Sequence, residues 1–155
     1  MDDRYLEKIL EETDSYQNRK NTLNKEIKEL YRVKQTKEVN KKMARLNSEL
    51  AQLRRPVSFG RESAARAWLN GKRYAQTGAG SEPVLRSIGV TWAEDFLITL
   101  REAGVESFFF QGDGTNGFDA MMTFAENGCE FAGFARKQAT GEEGAEIKGI
   151  RFMLK

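Results

Sequence analysis

The stretch that decides the fold is residues 105–137, which read VESFFFQGDGTNGFDAMMTFAENGCEFAGFARK. The apolar run from Val105 to Phe110 predicts a short strand, and the glycine-rich residues 112–117 predict a turn after it. Residues 118–126 have the apolar spacing of a helix that stops at Asn127-Gly128, and residues 129–137 alternate like a second strand. This order predicts a right-handed β-α-β crossover.

A helix precedes this stretch and a strand follows it. Residues 91–94, Thr-Trp-Ala-Glu, have the pattern of a capping box and predict a helix that runs to Ala103 and stops at Gly104. After residue 137, a polar turn at residues 140–144 leads to a last strand at residues 147–154. Because side chains alternate between the two faces of a strand, we expect Ile150, Phe152 and Leu154 to face the core.

Residues 56–155 therefore form one predicted compact domain. Ser58 is placed to cap a first short helix that ends at Asn70-Gly71, and residues 76–83 predict a glycine- and serine-rich loop. The domain is predicted to be a small α/β sandwich with a three-stranded sheet, made of one β-α-β crossover and a C-terminal hairpin. With the helical segment before it, the fold class of the whole chain is α+β.

Residues 1–55, up to the Arg54-Arg55-Pro56 boundary, contain no glycine and have a narrow apolar stripe. Apolar residues recur at steps of three and four along this stripe, which is typical of a helix that packs along one seam. The stripe changes register near Lys34 and Lys37, which favours an antiparallel hairpin of two helices at about residues 3–31 and 37–54, with Thr36 as N-cap. One continuous coiled-coil helix of about 50 residues, roughly 75 Å long, remains the alternative, since the turn has no glycine or proline.

An isolated pair of helices is only marginally stable, so the apolar stripe of this arm needs a covering surface. Three surfaces are candidates to cover the stripe: the compact domain, a second copy of the chain in a homodimer, and a foreign partner. The residues that we predict for helix association are Leu23, Ile27, Leu30, Met43, Leu46 and Leu50.

The charge of the chain is unevenly distributed. The net charge is +2, but residues 17–55 contain 12 Lys and Arg against 4 Asp and Glu. A basic run of this kind is either a solvated helix face or a surface that attracts phosphates or acidic protein. It lacks the interleaved aromatic residues of a single-strand stacking platform. The residues that we predict for partner or nucleic-acid binding are Lys34, Lys37, Lys41, Lys42, Arg45, Arg54 and Arg55.

The composition argues against most catalytic chemistry. The chain has no histidine and a single cysteine, Cys129, which removes the usual zinc sites and the serine or cysteine triads. We therefore predict a protein that is not an enzyme, with no catalytic residues, no metal and no cofactor. No apolar run approaches the roughly 20 residues of a membrane span, and the first residues lack the apolar segment of a secretory signal. We expect a cytoplasmic protein that does not bind membranes.

Three features have a chemical interpretation beside a structural one. Residues 112–117 are placed to cradle a phosphate, but they lack the lysine of a Walker A loop, and a turn in which Thr115 or Asn116 caps the next helix is the favoured interpretation. The carboxylates of Asp113, Asp119 and Glu126 are weak candidates for Mg²⁺ ligands. Cys129 is expected to be a small buried apolar residue.

The phenylalanines are predicted to belong to the core. Phe108, Phe109 and Phe110 are consecutive, so at least one of them must lie on the opposite sheet face from the others, where it would be a partner patch if no helix covers it. Phe131 and Phe134 are also expected in the core.

Residues 100–137 resemble a small domain in uncharacterised accessory proteins of bacterial phages and conjugative elements. The resemblance rests on residues 101–105, REAGV, on the phenylalanine run after Ser107, on the Thr115 turn and on residues 127–134, NGCEFAGF. It implies a mobile-element setting, in which small proteins often occupy a host defence protein such as a CRISPR effector.

These observations lead to one functional expectation and one alternative. We expect an interaction protein that binds and blocks or modulates a larger, nucleic-acid-handling protein, such as a nuclease or ribonucleoprotein effector. The alternative is a DNA- or RNA-binding accessory protein that dimerises through its helical arm. In both, the surface of the protein carries the function.

Overall fold

The computed structural model describes residues 2–74, 82–139 and 146–154, and within them the protein has the predicted α+β class. Two helices come first, α1 (Asp3–Tyr31) and α2 (Lys37–Gln52), and α3 (Phe59–Gly71) follows with a short 3₁₀ turn at Lys72–Tyr74. The remaining elements are β1 (Val84–Leu85), α4 (Val90–Glu102), β2 (Ser107–Phe110), α5 (Gly117–Glu126), β3 (Glu130–Gln138) and β4 (Glu146–Met153).

The sheet has four strands in the order β1-β2-β4-β3, which corrects the predicted three-stranded sheet. The additional strand, β1, pairs in parallel with β2. The last strand, β4, is antiparallel to both β2 and β3 and lies between them. The predicted strand-helix-strand order of β2, α5 and β3 is therefore present, but the two strands that it joins are separated by β4.

The strand β1 escaped prediction because it has only two residues. Val84 and Leu85 follow Pro83 directly, and both are buried. The pairing extends beyond these two residues, since the amide of Phe109 donates to Pro83 O at 2.8 Å and that of Gln111 to Leu85 O at 2.9 Å. Most of the predicted 76–83 loop and the predicted turn at residues 140–144 lie outside the described residues.

Aromatic rings fill the core between the sheet and the helices. Phe108 of β2 lies edge-on to Phe96 of α4 and to Phe124 of α5, with ring centroids 5.2 and 5.1 Å apart. Phe110 meets Phe124 at 5.2 Å, and Phe152 of β4 stacks on Phe108 at 5.6 Å. All five rings are buried, which confirms Phe152 as the core residue of the last strand.

The middle residue of the phenylalanine run faces the other side of the sheet, as predicted. Phe109 pairs in register with Arg151, and the ammonium of Lys137 lies 5.6 Å from the centroid of its ring. Phe109 is nevertheless fully buried. It therefore presents no surface to a partner.

Helix ends follow the local sequence with one exception. The hydroxyl of Ser58 accepts from the amide of Arg61 and caps α3, and Gly104 and Gly128 adopt positive φ just beyond α4 and α5. The predicted capping box at Thr91 is wrong, because α4 begins one residue earlier at Val90 with Gly89 as N-cap. The amide of Trp92 donates to Gly89 O at 3.0 Å, so the first turn of the helix already includes Thr91.

The chain divides into two compact units, residues 11–57 and residues 1–10 together with 58–155. Within the second unit, Asp3 Oδ1 accepts from Trp68 Nε1 at 2.8 Å, and the amide of Asp2 donates to Ala103 O at 2.6 Å. The hydroxyl of Tyr5 also bonds to the carboxylate of Glu102. The use of residues 1–55 as one functional arm stays a prediction.

Candidate interaction surfaces

Residues 11–57 contain the predicted antiparallel hairpin rather than one continuous helix. Leu23 and Ile27 of α1 form a buried cluster with Leu46 of α2, and Leu30, Leu50 and Leu53 pack against it. Farther from the turn, Arg19 Nη2 bonds to Glu49 Oε2 at 2.8 Å. A residue earlier in α1 therefore contacts a residue later in α2, as an antiparallel pair requires.

The turn between the two helices needs no glycine because side chains satisfy its backbone groups. The side-chain Nε2 of Gln35 donates to Leu30 O and to Val33 O, both at 3.0 Å, which satisfies one of the last carbonyls of α1 and one carbonyl of the turn. Thr36 Oγ1 accepts from the amide of Val39 at 3.2 Å and caps α2, as predicted. Two consecutive polar residues thus end one helix and begin the next.

Five of the seven predicted basic residues gather around this turn, and we call them the hairpin basic surface. All five are exposed, and none has a carboxylate oxygen within 4.0 Å among the residues that the structure describes. Three of them follow one another at four-residue steps along α2, about 6 Å apart in rise, on a side away from Leu46. The surface comprises Lys34, Lys37, Lys41, Lys42 and Arg45.

The other two predicted basic residues have structural contacts at the far end of α2. Arg54 Nη1 donates to Ala51 O at 2.6 Å and to Leu53 O at 3.3 Å, which caps the C-terminus of the helix. The guanidinium of Arg55 lies 5.6 Å from the centroid of the Tyr16 ring. Arg54 and Arg55 are therefore engaged within the hairpin and lie apart from the turn.

The residues predicted for helix association pack within the hairpin itself. Leu23, Ile27, Met43 and Leu46 are buried, and Leu30 and Leu50 are partly buried against the same cluster. A homodimer through this stripe would require the two helices to separate. Dimerisation by these residues stays a prediction, and the hairpin makes it costly.

The glycine-rich loop at residues 112–117 folds tightly on itself. A Cβ on Gly117 would lie 2.8 Å from Gly112 O, and the Asp113 carboxylate sits 3.3 Å from Arg86 Nε. Asn116 is the N-cap of α5, but its side chain makes no capping hydrogen bond. Among the described residues, no three Cys, Asp or Glu side chains come together as a metal-holding group.

Cys129 is buried at the start of β3, as expected. Burial raises the pKa of its thiol, and the positive charge of Arg101 only partly offsets this effect. Arg101 Nη2 lies 3.9 Å from the sulfur. A thiol in this environment is a poor nucleophile at neutral pH because little of it is ionised.

An ionic cluster that was not predicted from the sequence lies on the Phe109 face of the sheet. Glu82 Oε1 accepts from Lys137 Nζ at 2.8 Å, and both carboxylate oxygens accept from Arg151 at 2.8 and 3.0 Å. Ser107 Oγ donates a further bond at 2.7 Å. Burial would raise the pKa of Glu82, but the hydrogen bonds from Arg151, Lys137 and Ser107 outweigh it and lower the pKa to about 2.

Phe131 and Phe134 are exposed, which corrects their predicted place in the core. Their side chains are 57% and 82% exposed, and their rings form an edge-to-face pair 5.4 Å apart. The pairing of β3 with β4 shifts register between them, at Gly133 with φ +108°. Strict alternation would place the two rings on opposite faces, but the bulge pairs them with Phe152 and Ile150, which share one face of β4.

Comparison with known proteins found no relative of this chain. The chain matches no protein-family model, no curated protein and no solved structure. In the described part of the chain, no helix is both long and apolar enough to cross a membrane. The resemblance of residues 100–137 to phage and conjugative-element domains stays a prediction.

Proposed function

We propose that this protein is a non-enzymatic interaction protein that binds and modulates a larger, nucleic-acid-handling assembly through the hairpin basic surface. One observation carries the proposal: five exposed cations cluster around the hairpin turn without an ion pair among the described residues. Like charges held close together repel each other. Binding of a polyanionic partner would relieve this repulsion, which makes the electrostatic free energy of binding favourable. Acidic protein surfaces and phosphate backbones both offer such charge.

The partner that we propose is a nuclease or ribonucleoprotein effector of a host defence system, which the protein would block. This part rests on the mobile-element resemblance of residues 100–137. The hairpin basic surface would occupy an acidic patch or displace a contact that nucleic acid normally makes.

Charge reversal around the turn tests the proposal. The test variant combines Lys37→Glu, Lys41→Glu and Arg45→Glu, and its matched control combines Lys20→Glu, Lys25→Glu and Lys28→Glu on α1, where the residues are also exposed. Both variants change the net charge by the same amount. We expect the test variant to lose most of its retention on immobilised heparin at physiological salt, while the control keeps at least half of the retention of the wild-type protein. Equal behaviour of the two variants would mean that net charge alone controls binding, and the proposal would fail.

Nuclease treatment separates the proposed function from direct nucleic-acid binding. We would capture partners from bacterial extract on the immobilised protein, with and without prior digestion of DNA and RNA. Protein partners that persist after digestion and depend on Lys37, Lys41 and Arg45 are the expected result.

The second candidate function is direct binding of DNA or RNA. The four-residue spacing of Lys37, Lys41 and Arg45 favours it, because a regular row of cations suits a phosphate backbone. In that case capture is lost on digestion, and purified nucleic acid binds with a steep salt dependence.

A further inference from the structure

The outer edge of the sheet presents two aromatic rings to solvent. β3 is an edge strand, and Phe134 keeps 82% of its side chain exposed there. Burial of a phenylalanine side chain contributes roughly 1.5–3 kcal/mol, and Phe134 gains little of it in the isolated protein. Phe131, beside it, is 57% exposed. A flat ligand that covers these rings would recover part of this free energy.

Two cations stand directly opposite each other next to these rings. Arg136 of β3 pairs in register with Lys148 of β4, and Phe134 pairs with Ile150 two residues along. Because alternate residues share a face, the four side chains lie on the same face of the sheet. Like charges in directly opposed positions destabilise a sheet, since their Cβ atoms are only about 5 Å apart.

The repulsion between these two cations is only partly offset within the chain. Arg136 Nη1 lies 3.5 Å from Glu146 Oε1, in a pair whose side chains are both well exposed to solvent. Lys148 has no carboxylate within 4.0 Å among residues 2–74, 82–139 and 146–154. An anion bound between Arg136 and Lys148 would therefore stabilise both.

The cations and the ring border one surface hollow of about 450 Å³. Ile150, Gly149 and Gln111 also line this hollow. The volume falls within the range of small-ligand sites, roughly 300–1,000 Å³. The exposed ring and the nearest cation are two residues apart on one strand, or about 7 Å.

We propose that this face of β3 and β4 binds single-stranded nucleic acid. Unpaired bases stack on Phe134 and Phe131, and a phosphate of the same strand lies between Arg136 and Lys148. Single-strand binders combine these two elements, because every base has a flat π face and every nucleotide a phosphate. A duplex does not fit as well, since its bases are already stacked inside the helix. The site is distinct from the hairpin basic surface and goes beyond the function proposed above.

The first test measures the affinity for a fluorescein-labelled oligothymidylate of about 12 nucleotides, a length within the usual site sizes of single-strand binders. The variants are Phe134→Ala and a matched control, Phe118→Ala, which removes a ring that is 71% exposed on α5. We expect Phe134→Ala to weaken binding about 5- to 150-fold, the range for loss of one base-stacking contact. The control should bind within about twofold of wild type on the same scale.

A salt series separates the stacking contact from the phosphate contact. Lys148→Gln should lower the slope of log Kd against log salt by about 0.7, the value for one phosphate on a single strand. Phe134→Ala should weaken binding at every salt concentration and leave the slope unchanged. The Lys37→Glu, Lys41→Glu, Arg45→Glu variant should still show the Phe134 effect, so a failure of the hairpin proposal is distinguishable from a failure of this one.

Two results would overturn the inference. In the Lys37→Glu, Lys41→Glu, Arg45→Glu variant, a duplex of the same length that binds as tightly as the single strand would exclude stacking on exposed bases. Wild-type affinity in Phe134→Ala would leave the ring without a nucleic-acid contact and would refute the proposed site.

Discussion

Glu82 connects all four strands of the sheet through one carboxylate. It lies two residues before β1 and accepts hydrogen bonds from Ser107 of β2, Lys137 of β3 and Arg151 of β4. Lys137 and the carboxylate are almost fully buried, so removal of either partner leaves an uncompensated charge. Glu82 is therefore more important to the sheet than its place outside the strands indicates.

We expect Glu82→Gln to lower the free energy of unfolding by about 3–5 kcal/mol at pH 7, because Lys137 and Arg151 lose their shared anion. Urea denaturation measures the effect. Glu106→Gln is the matched control, since Glu106 is an exposed glutamate immediately before β2. A loss below about 1 kcal/mol, the usual value for a surface pair, would contradict the buried network.

The same carboxylate makes stability depend on acid. The pKa of Glu82 falls from its ordinary 4.5 to about 2 in the folded protein, which corresponds to about 3 kcal/mol. Since the folded-state pKa is the lower one, this contribution is complete above pH 4.5 and is lost as the pH falls from there through about 2. Denaturation curves between pH 6 and pH 2 should show this loss in wild type and a smaller loss in Glu82→Gln. Equal acid sensitivity of the two proteins would assign the effect to other carboxylates.

Gly149 is required where β4 lies close against Phe109 and Phe110 of β2. A Cβ at this position would lie 2.3 Å from Phe110 O and 2.8 Å from the Phe109 ring. We expect Gly149→Ala to cost about 1–3 kcal/mol in thermal or chemical denaturation, as overpacking does. Gly89→Ala is the control, because its Cβ would meet only the Trp92 ring at 3.4 Å. A Gly149→Ala protein as stable as wild type would show that the strands can move apart at no cost.

At the scale of elements, the helices and three of the four strands were predictable to within a few residues, and β1 was not. Ser58 and Thr36 cap the helices that they were expected to cap, and α1 ends at Tyr31 as the change of apolar register indicated. A helix is set by neighbours three and four residues away, so its signals are local. The strand β1 has no such signal, because its two residues are held by pairing with β2 alone.

The N-cap of α2 gives a test at the element scale. We expect Thr36→Ala to destabilise the hairpin by about 1 kcal/mol, because the amide of Val39 loses its acceptor. Thr36→Ser keeps the hydroxyl and should retain most of the stability. Amide hydrogen exchange in the first turn of α2 measures the difference, and equal exchange in both variants would show that the cap contributes nothing.

At the scale of the whole molecule, each of the two compact units has a group of buried side chains of its own in the part of the chain that the structure describes. The leucine cluster around Leu46 belongs to residues 11–57, and the aromatic core around Phe124 belongs to the larger unit. Each group supports its own elements. Local opening of one unit is therefore expected to differ from that of the other.

Truncation in each group tests this separation. Leu46→Ala should cost about 2–5 kcal/mol locally and speed amide exchange in α2 far more than in β2 or β4. Phe124→Ala should have the reverse pattern. A uniform increase across the molecule in both variants would mean that the protein unfolds as a single cooperative unit.

The sequence alone determined the α+β class, most helix ends and the basic character of residues 17–55, and it favoured two hairpin helices over one continuous helix. These features depend on propensity, capping and charge, which act over a few neighbouring residues. Only the tertiary structure decided that β4 lies between β2 and β3. It also decided that Arg54 and Arg55 are engaged, while the five cations of the hairpin basic surface have no ion pair in the described chain. Finally, it placed Phe134 in solvent beside Arg136 and Lys148. Strand order and register are set by burial and pairing between residues far apart in the chain, and a single bulge at Gly133 reverses the face on which later side chains lie.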